Sequence, residues 1–154
     1  MSADSSGKNP FLQFIGTWSG EDTIATTQWS RGGLTATHIE CKAEIGGRAI
    51  TQRTRSKRGD GQIVEAFAVF THGPEARTVL FHWFDTLGFT PTAAGIGRWN
   101  EEGDTLRVER ATRTLRTRHV FRFTSAHALT HSLDNSSTDG ATWVRVMEGD
   151  YRRG

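Results

Sequence analysis

Residues 14–20 read Phe14-Ile15-Gly16-Thr17-Trp18-Ser19-Gly20, and this stretch decides the fold. A tryptophan between two glycines at the opening of a first strand suits the tightly coiled end of a small closed barrel. Glycine lets the strand bend there without a Cβ clash, and a large aromatic ring plugs the end. Trp18 is therefore expected to be structural. The matching bookend is the final stretch from Trp143 to Tyr151-Arg152.

Between the bookends the chain alternates. Thr35, Thr37, Ile39, Cys41, Ala43 and Ile45 interleave with His38, Glu40, Lys42 and Glu44, a period of two with one apolar and one polar face. Gly46-Gly47 makes a tight turn into a return strand over 48–56, and Arg58-Gly59-Asp60-Gly61 turns again. Strands follow over 63–71 and 78–85, then a loop with Gly88 and Pro91 leads into a glycine-bearing strand ending at Trp99. Further strands are expected over 105–111, 118–124, 128–133 and 142–147, with Asp139-Gly140 as a hairpin turn. This gives about nine or ten short strands with turns at 8–12-residue spacing, the signature of an antiparallel sandwich or barrel. Helix-length periodicity is absent apart from a single turn over 11–15. The expectation is all-β: one antiparallel up-and-down barrel over 11–153, a short N-terminal helical turn and a loose polar arm over 1–10. Closure is preferred because it removes exposed strand edges.

Composition narrows the function classes. The chain has 154 residues, enough for one domain with a real core. Hydrophobic residues make up 35% and the mean hydropathy is −0.51, with no apolar run approaching the roughly 18–20 residues of a spanning helix. A membrane partner is not expected. The N-terminal ten residues lack a secretion leader, and the single cysteine, Cys41, excludes an intramolecular disulfide; both fit a reducing cytoplasm. Net charge is only +2, which does not suggest a bulk nucleic-acid binder. The basic side is nearly all arginine, which tolerates partial burial better than lysine. Arg107, Arg110, Arg113 and Arg116 recur every third residue within the basic stretch 107–122. On a strand that spacing alternates faces, so they cannot line one groove, and a solvated hairpin is the simpler reading.

The motifs in order resemble the calycin superfamily of lipocalin-like barrels, and more narrowly a bacterial calycin-like family of unknown function. The resemblance rests on Gly16-x-Trp18-x-Gly20, Trp83-x-Asp85-x-x-Gly88, the Gly95/Gly97 pair, Asp139-Gly140-x-x-Trp143 and Glu148-x-x-Tyr151-x-Arg153. It implies an up-and-down barrel with a lumen, often a homodimer, and no agreed activity. It also implies that the Trp18 plug lies under a last-strand arginine, Arg145 or Arg153. The first motif is similar to the opening of nitrobindin-type haem barrels, although Asp22 stands where their last glycine would be. In that resemblance a late-strand histidine holds haem iron, and His131, or else His119, is the candidate.

Candidate ligand residues follow from strand faces. If Val79, Phe81, Trp83 and Asp85 point inward, they form an aromatic wall with one carboxylate at its mouth. Asp85 capping the following turn is the alternative. Glu65 shares a face with Ile63, Phe67 and Val69, so if that face is internal the carboxylate needs a partner such as Arg107 or Arg118. The ligand set is thus Phe67, Phe81, Trp83, Asp85, Glu65, Arg107, Arg118 and His131, with Glu65 and Asp85 as candidate acid/base groups. No histidine pattern has metal-ligand spacing, so no metal site is expected. The leading expectation is binding of a small, largely apolar molecule in the lumen, with no bond chemistry and no cofactor. A lumen-templated cyclase or isomerase of a polyketide- or terpenoid-like substrate is one alternative. A haem barrel handling nitric oxide or peroxide is the other.

Overall fold

Among the described residues, ten strands close into one antiparallel barrel in which each strand pairs with its sequence neighbours and the first pairs with the last. In a computed structural model describing residues 9–88 and 93–154, they are β1 (Gly16–Ile24), β2 (Gly33–Glu44), β3 (Ala49–Arg58), β4 (Ile63–His72), β5 (Thr78–Asp85), β6 (Gly95–Trp99), β7 (Thr105–Ala111), β8 (Arg116–Ser125), β9 (Ala128–Ser136) and β10 (Val144–Arg153). A 3-10 turn, Pro10–Phe14, precedes them, with Asn9 capping the Phe11 amide. The expected meander and its N-terminal turn are therefore present. Most of the arm over 1–10, and Pro91 in the loop after β5, lie outside the described residues. Several strands run further than the sequence suggests, most of all β9, which reaches Ser136, and β10, which reaches Arg153. Among the described residues no helix is long and apolar enough to cross a membrane.

The barrel is filled at one end only. The 3-10 turn pushes Phe11 and Phe14 into the lower opening, where both are fully buried. The Phe14 ring meets Phe70 and Phe123 with centroids 4.9 Å away in each case. Trp18, Trp99, Leu106 and Leu129 complete this layer. Packing of this kind supplies most of the fold's stability, at about 25 cal/mol per Å² of apolar surface buried.

Strand register explains how Trp18 is held. Trp18 lies directly opposite Arg153 across β1 and β10, so the two side chains share a face. The guanidinium sits 4.2 Å over the indole centroid. Its nitrogens donate to the carbonyls of Ala126, Ile15 and Gln13, and the indole nitrogen donates to the Phe14 carbonyl at 3.0 Å. One arginine thus joins the last strand, the first strand and the plug.

Trp18→Ala should cost about 3–5 kcal/mol, the range for deleting a large buried aromatic. Arg153→Ala should cost about 2 kcal/mol, from the lost ring contact and the stranded carbonyls. Urea unfolding of both variants checks this, and losses below about 1 kcal/mol would show that the lower end closes without them.

Candidate functional site

Above the aromatic layer the inner faces turn from large and apolar to small or polar, and a cavity of ≈ 390 Å³ opens. On β4 the inward residues shrink from Phe70 to Ala68, Ala66 and Val64. On β5 they run Val79, Phe81, Trp83, Asp85, so Trp83 forms the boundary between packed core and cavity. Leu133, Val146 and Met147 supply apolar wall opposite, and Trp29, Arg31 and Leu87 stand among the residues contributed by loops.

Two polar clusters interrupt the apolar wall. The first centres on Asp22, which is 3% exposed despite being a carboxylate. Thr35 and Thr37 on β2 donate hydroxyl hydrogen bonds to one of its oxygens, and Tyr151 on β10 donates to the other. Burial raises the Asp22 pKa above the ordinary carboxylate value, and the three hydroxyls oppose that rise. Register makes room for the arrangement. Gly149 faces Asp22 and Gly20 faces Tyr151 across the seam. A Cβ at Gly149 would collide with both the Tyr151 hydroxyl and the Asp22 carboxylate, so only glycine admits the contact.

The second cluster runs through β7, β8, β9 and β5. Arg110 Nε donates to His119 Nε2 at 3.1 Å, and His119 Nδ1 lies 2.9 Å from His131 Nε2. Because a guanidinium can only donate, it fixes the tautomers in sequence. His119 accepts at Nε2 and donates from Nδ1; His131 accepts at Nε2 and keeps its proton on Nδ1. The His131 ring stacks on Phe121 at 4.2 Å, and Trp83 lies 5.0 Å from the His119 ring. Burial pushes the His119 pKa well down and that of His131 down to about 3, with Arg110 adding to both. Both imidazoles are therefore neutral. Trp83 Nε1 donates to Asp85 Oδ2 at 2.9 Å, and the Leu87 amide binds the other Asp85 oxygen at 2.9 Å.

The sequence candidates divide between the two sides of the wall. Trp83, Asp85 and His131 line the cavity, and Phe81 lies one layer deeper in the core. Glu65, Phe67, Arg107 and Arg118 do not reach it. On β4 the inward residues are Val64, Ala66, Ala68 and Phe70, so the period of two turns Glu65 and Phe67 outward. There Arg53 lies 5.0 Å over the Phe67 ring, and Glu65 sits 3.9 Å from Arg55, both solvent-exposed. Arg107 alternates with the buried Leu106 and Val108, and Arg118 pairs externally with Asp134 at 3.2 Å. A haem held by His131 Nε2 does not fit either, because that nitrogen is occupied by His119 and the ring is sandwiched on Phe121.

Sequence reasoning missed Asp22, Arg110, His119 and Tyr151 as a set. The signal was present in the period of two. Asp22 follows Trp18 and Gly20, and Arg110 follows Leu106 and Val108, each on an inward face.

Comparison with known proteins places the chain. A family described as "Protein of unknown function (DUF1579)" matches residues 6–153. The chain belongs to this family. No curated protein matches it. The fold resembles that of the S-type phycobiliprotein lyase CPES from Guillardia theta, with a TM-score of 0.72, 10% identity, and coverage of 94% of this chain and 90% of that one. It also resembles Rv2717c from M. tuberculosis, with a TM-score of 0.69, 15% identity, and coverage of 95% and 98%. A redesigned β-barrel, mFAP1, solved bound to DFHBI, has a TM-score of 0.51 at 12% identity, covering 95% and 100%.

The neutral histidine pair predicts an acid-side loss of stability. The unfolded chain takes up protons near pH 6.5, whereas folded His131 resists them until about pH 3. Stability is therefore full above pH 6.5 and falls as the pH drops between those values. Asp22, whose pKa is raised, acts in the opposite sense as the pH rises from 3.8. His131→Phe should flatten the fall in melting temperature between pH 7 and pH 4. Parallel falls in variant and parent would place the acid lability elsewhere.

Proposed function

We propose that this protein binds a small, largely apolar molecule in the upper half of its barrel. The observation that carries the reading is the half-filled lumen. Its lower half is sealed by aromatic packing, while its upper half is a ≈ 390 Å³ cavity with an apolar wall and few convergent polar groups. That combination is the usual form of a small-molecule site. The neighbours lend support, since one similar barrel is a phycobiliprotein lyase and another was solved with the small molecule DFHBI bound. With one cysteine, Cys41, and so no intramolecular disulfide, the sequence supports a reducing cytoplasm as its setting.

Cavity filling tests the reading. Ala66 lies on the wall, so Ala66→Phe should occupy the space and abolish binding of a neutral fluorescent probe such as N-phenyl-1-naphthylamine. The same change should leave the melting temperature level or raise it, as filling a void adds about 0.5–2 kcal/mol. Unaltered probe binding in the filled variant would place the site elsewhere.

A second reading, lumen-templated isomerisation or cyclisation, is favoured by one observation. Asp22 is a carboxyl on the cavity wall whose proton affinity is raised by burial, the condition for a general acid. Glu65 lies outside, so of the two carboxyls on the cavity wall, Asp22 and Asp85, such chemistry would draw on Asp22, whose raised proton affinity suits an acid.

A further inference from the structure

Arg110 is buried to 8% exposure on the wall of the cavity, yet among the described residues it has no carboxylate partner. Its Nε is used by His119, but its two terminal nitrogens bond to no described residue. Among the described residues, Trp99 Nε1 is the only fully buried side-chain polar atom without a hydrogen bond. The terminal nitrogens of Arg110 are therefore not sealed in protein; they open onto the cavity. His131 Nδ1, which keeps its proton under the tautomer order set by Arg110, is likewise unpaired and belongs to a cavity-lining residue.

Charge around this point is compensated only at longer range, with no ion pair to the guanidinium. His119 and His131 are neutral. Asp85 is close enough to favour the charged guanidinium, but its oxygens already accept from Trp83 and Leu87. Asp22, on the opposite side of the strand order, is held by three hydroxyls. Arg31 and Arg58 also line the cavity and add positive charge. A guanidinium taken out of water without an anion is costly, and arginine does not shed its proton to escape that cost. A carboxylate would relieve it, because two oxygens match two terminal N–H groups in a fork.

We propose that the ligand is an amphipathic organic anion, a carboxylate with an apolar body. Its head is received by the terminal nitrogens of Arg110. Its body lies along Trp83, Leu133, Val146 and Val64. This deepens the binding reading above and rests on it. Trp83 gives the head group a rigid flank, since the Arg110 guanidinium lies 5.9 Å from its ring centroid.

Matched ligand pairs test the proposal. Decanoate against decan-1-ol, and 2-naphthoate against 2-naphthamide, differ in charge with little change in the apolar body. Calorimetry with the full chain at pH 7 should show each carboxylate binding about tenfold or more tighter than its neutral partner, about 1.4 kcal/mol. In Arg110→Met, of similar length and without charge, the preference should vanish while the neutral compound binds at least as well. Arg110→Lys should keep part of the preference. Equal binding of charged and neutral members to the parent protein overturns the carboxylate proposal and leaves the apolar-ligand reading standing. A preference that survives in Arg110→Met also overturns it. Failure of all four compounds to bind overturns both readings. The parent-protein comparison decides the matter even if Arg110→Met does not fold.

Discussion

Arg153 lies over the Trp18 ring at 4.2 Å while donating to three backbone carbonyls, and closure of the lower end depends on that contact. A ten-strand barrel has an interior too wide for backbone to fill, so one end needs a lid. The lid here is the Pro10–Phe14 turn, and it is too short to be a stable helix by itself. Its orphan carbonyls at Gln13 and Ile15 are satisfied by the Arg153 guanidinium, while its apolar rings are satisfied by the core. The last strand therefore has to run its full length to Arg153 for the first turn to be held in place. The Pro10–Phe14 turn and the last strand are fixed by the same side chain.

The lower seal makes the upper cavity meaningful. Aromatic rings ascend from Phe14, which meets Phe121 edge to face, to His131, which stacks on Phe121. The rings then stop, because the next inward groups are Thr117, Asn135 and Arg110, which need hydrogen bonds rather than packing. Small residues on β4 give the interior less to fill with on that side. At Gly97 a Cβ would meet the Val108 side chain, so glycine there lets β7 pack close. The cavity is where large side chains run out.

Much of the fold was readable from alternation and turn spacing, because a strand with one wet face must show a period of two. Trp18 as a plug, and the inward aromatic run of β5, were legible for that reason. The site was less so. Period two names two faces without saying which is inside, and for β4 the face holding Phe67 and Glu65 would be internal only on the condition that Glu65 found a partner. Its rings and Glu65 are instead covered by neighbouring arginines, Arg53 and Arg55, on the outer surface. Arg110 was hidden differently, as one member of a basic series. Composition treats those arginines alike, although the three-residue spacing already required some to point inward.

The outer and inner arginines of that series show why burial matters more than count. On the outside, Arg116 pairs with Glu109 and Asp139, while Arg118 and Arg145 converge on the buried carboxylate of Asp134. Trp143 covers Arg118 at 4.3 Å, completing a shielded, compensated network. Inside, Arg110 is given two imidazoles in line and no paired carboxylate, with Asp85 only at longer range. A chain selected for stability alone gains nothing from that substitution of acceptors, since an apolar side chain at the same height would avoid the desolvation cost. The neutral histidines orient the guanidinium without neutralising it. They hold its charge in place and leave it available to the cavity.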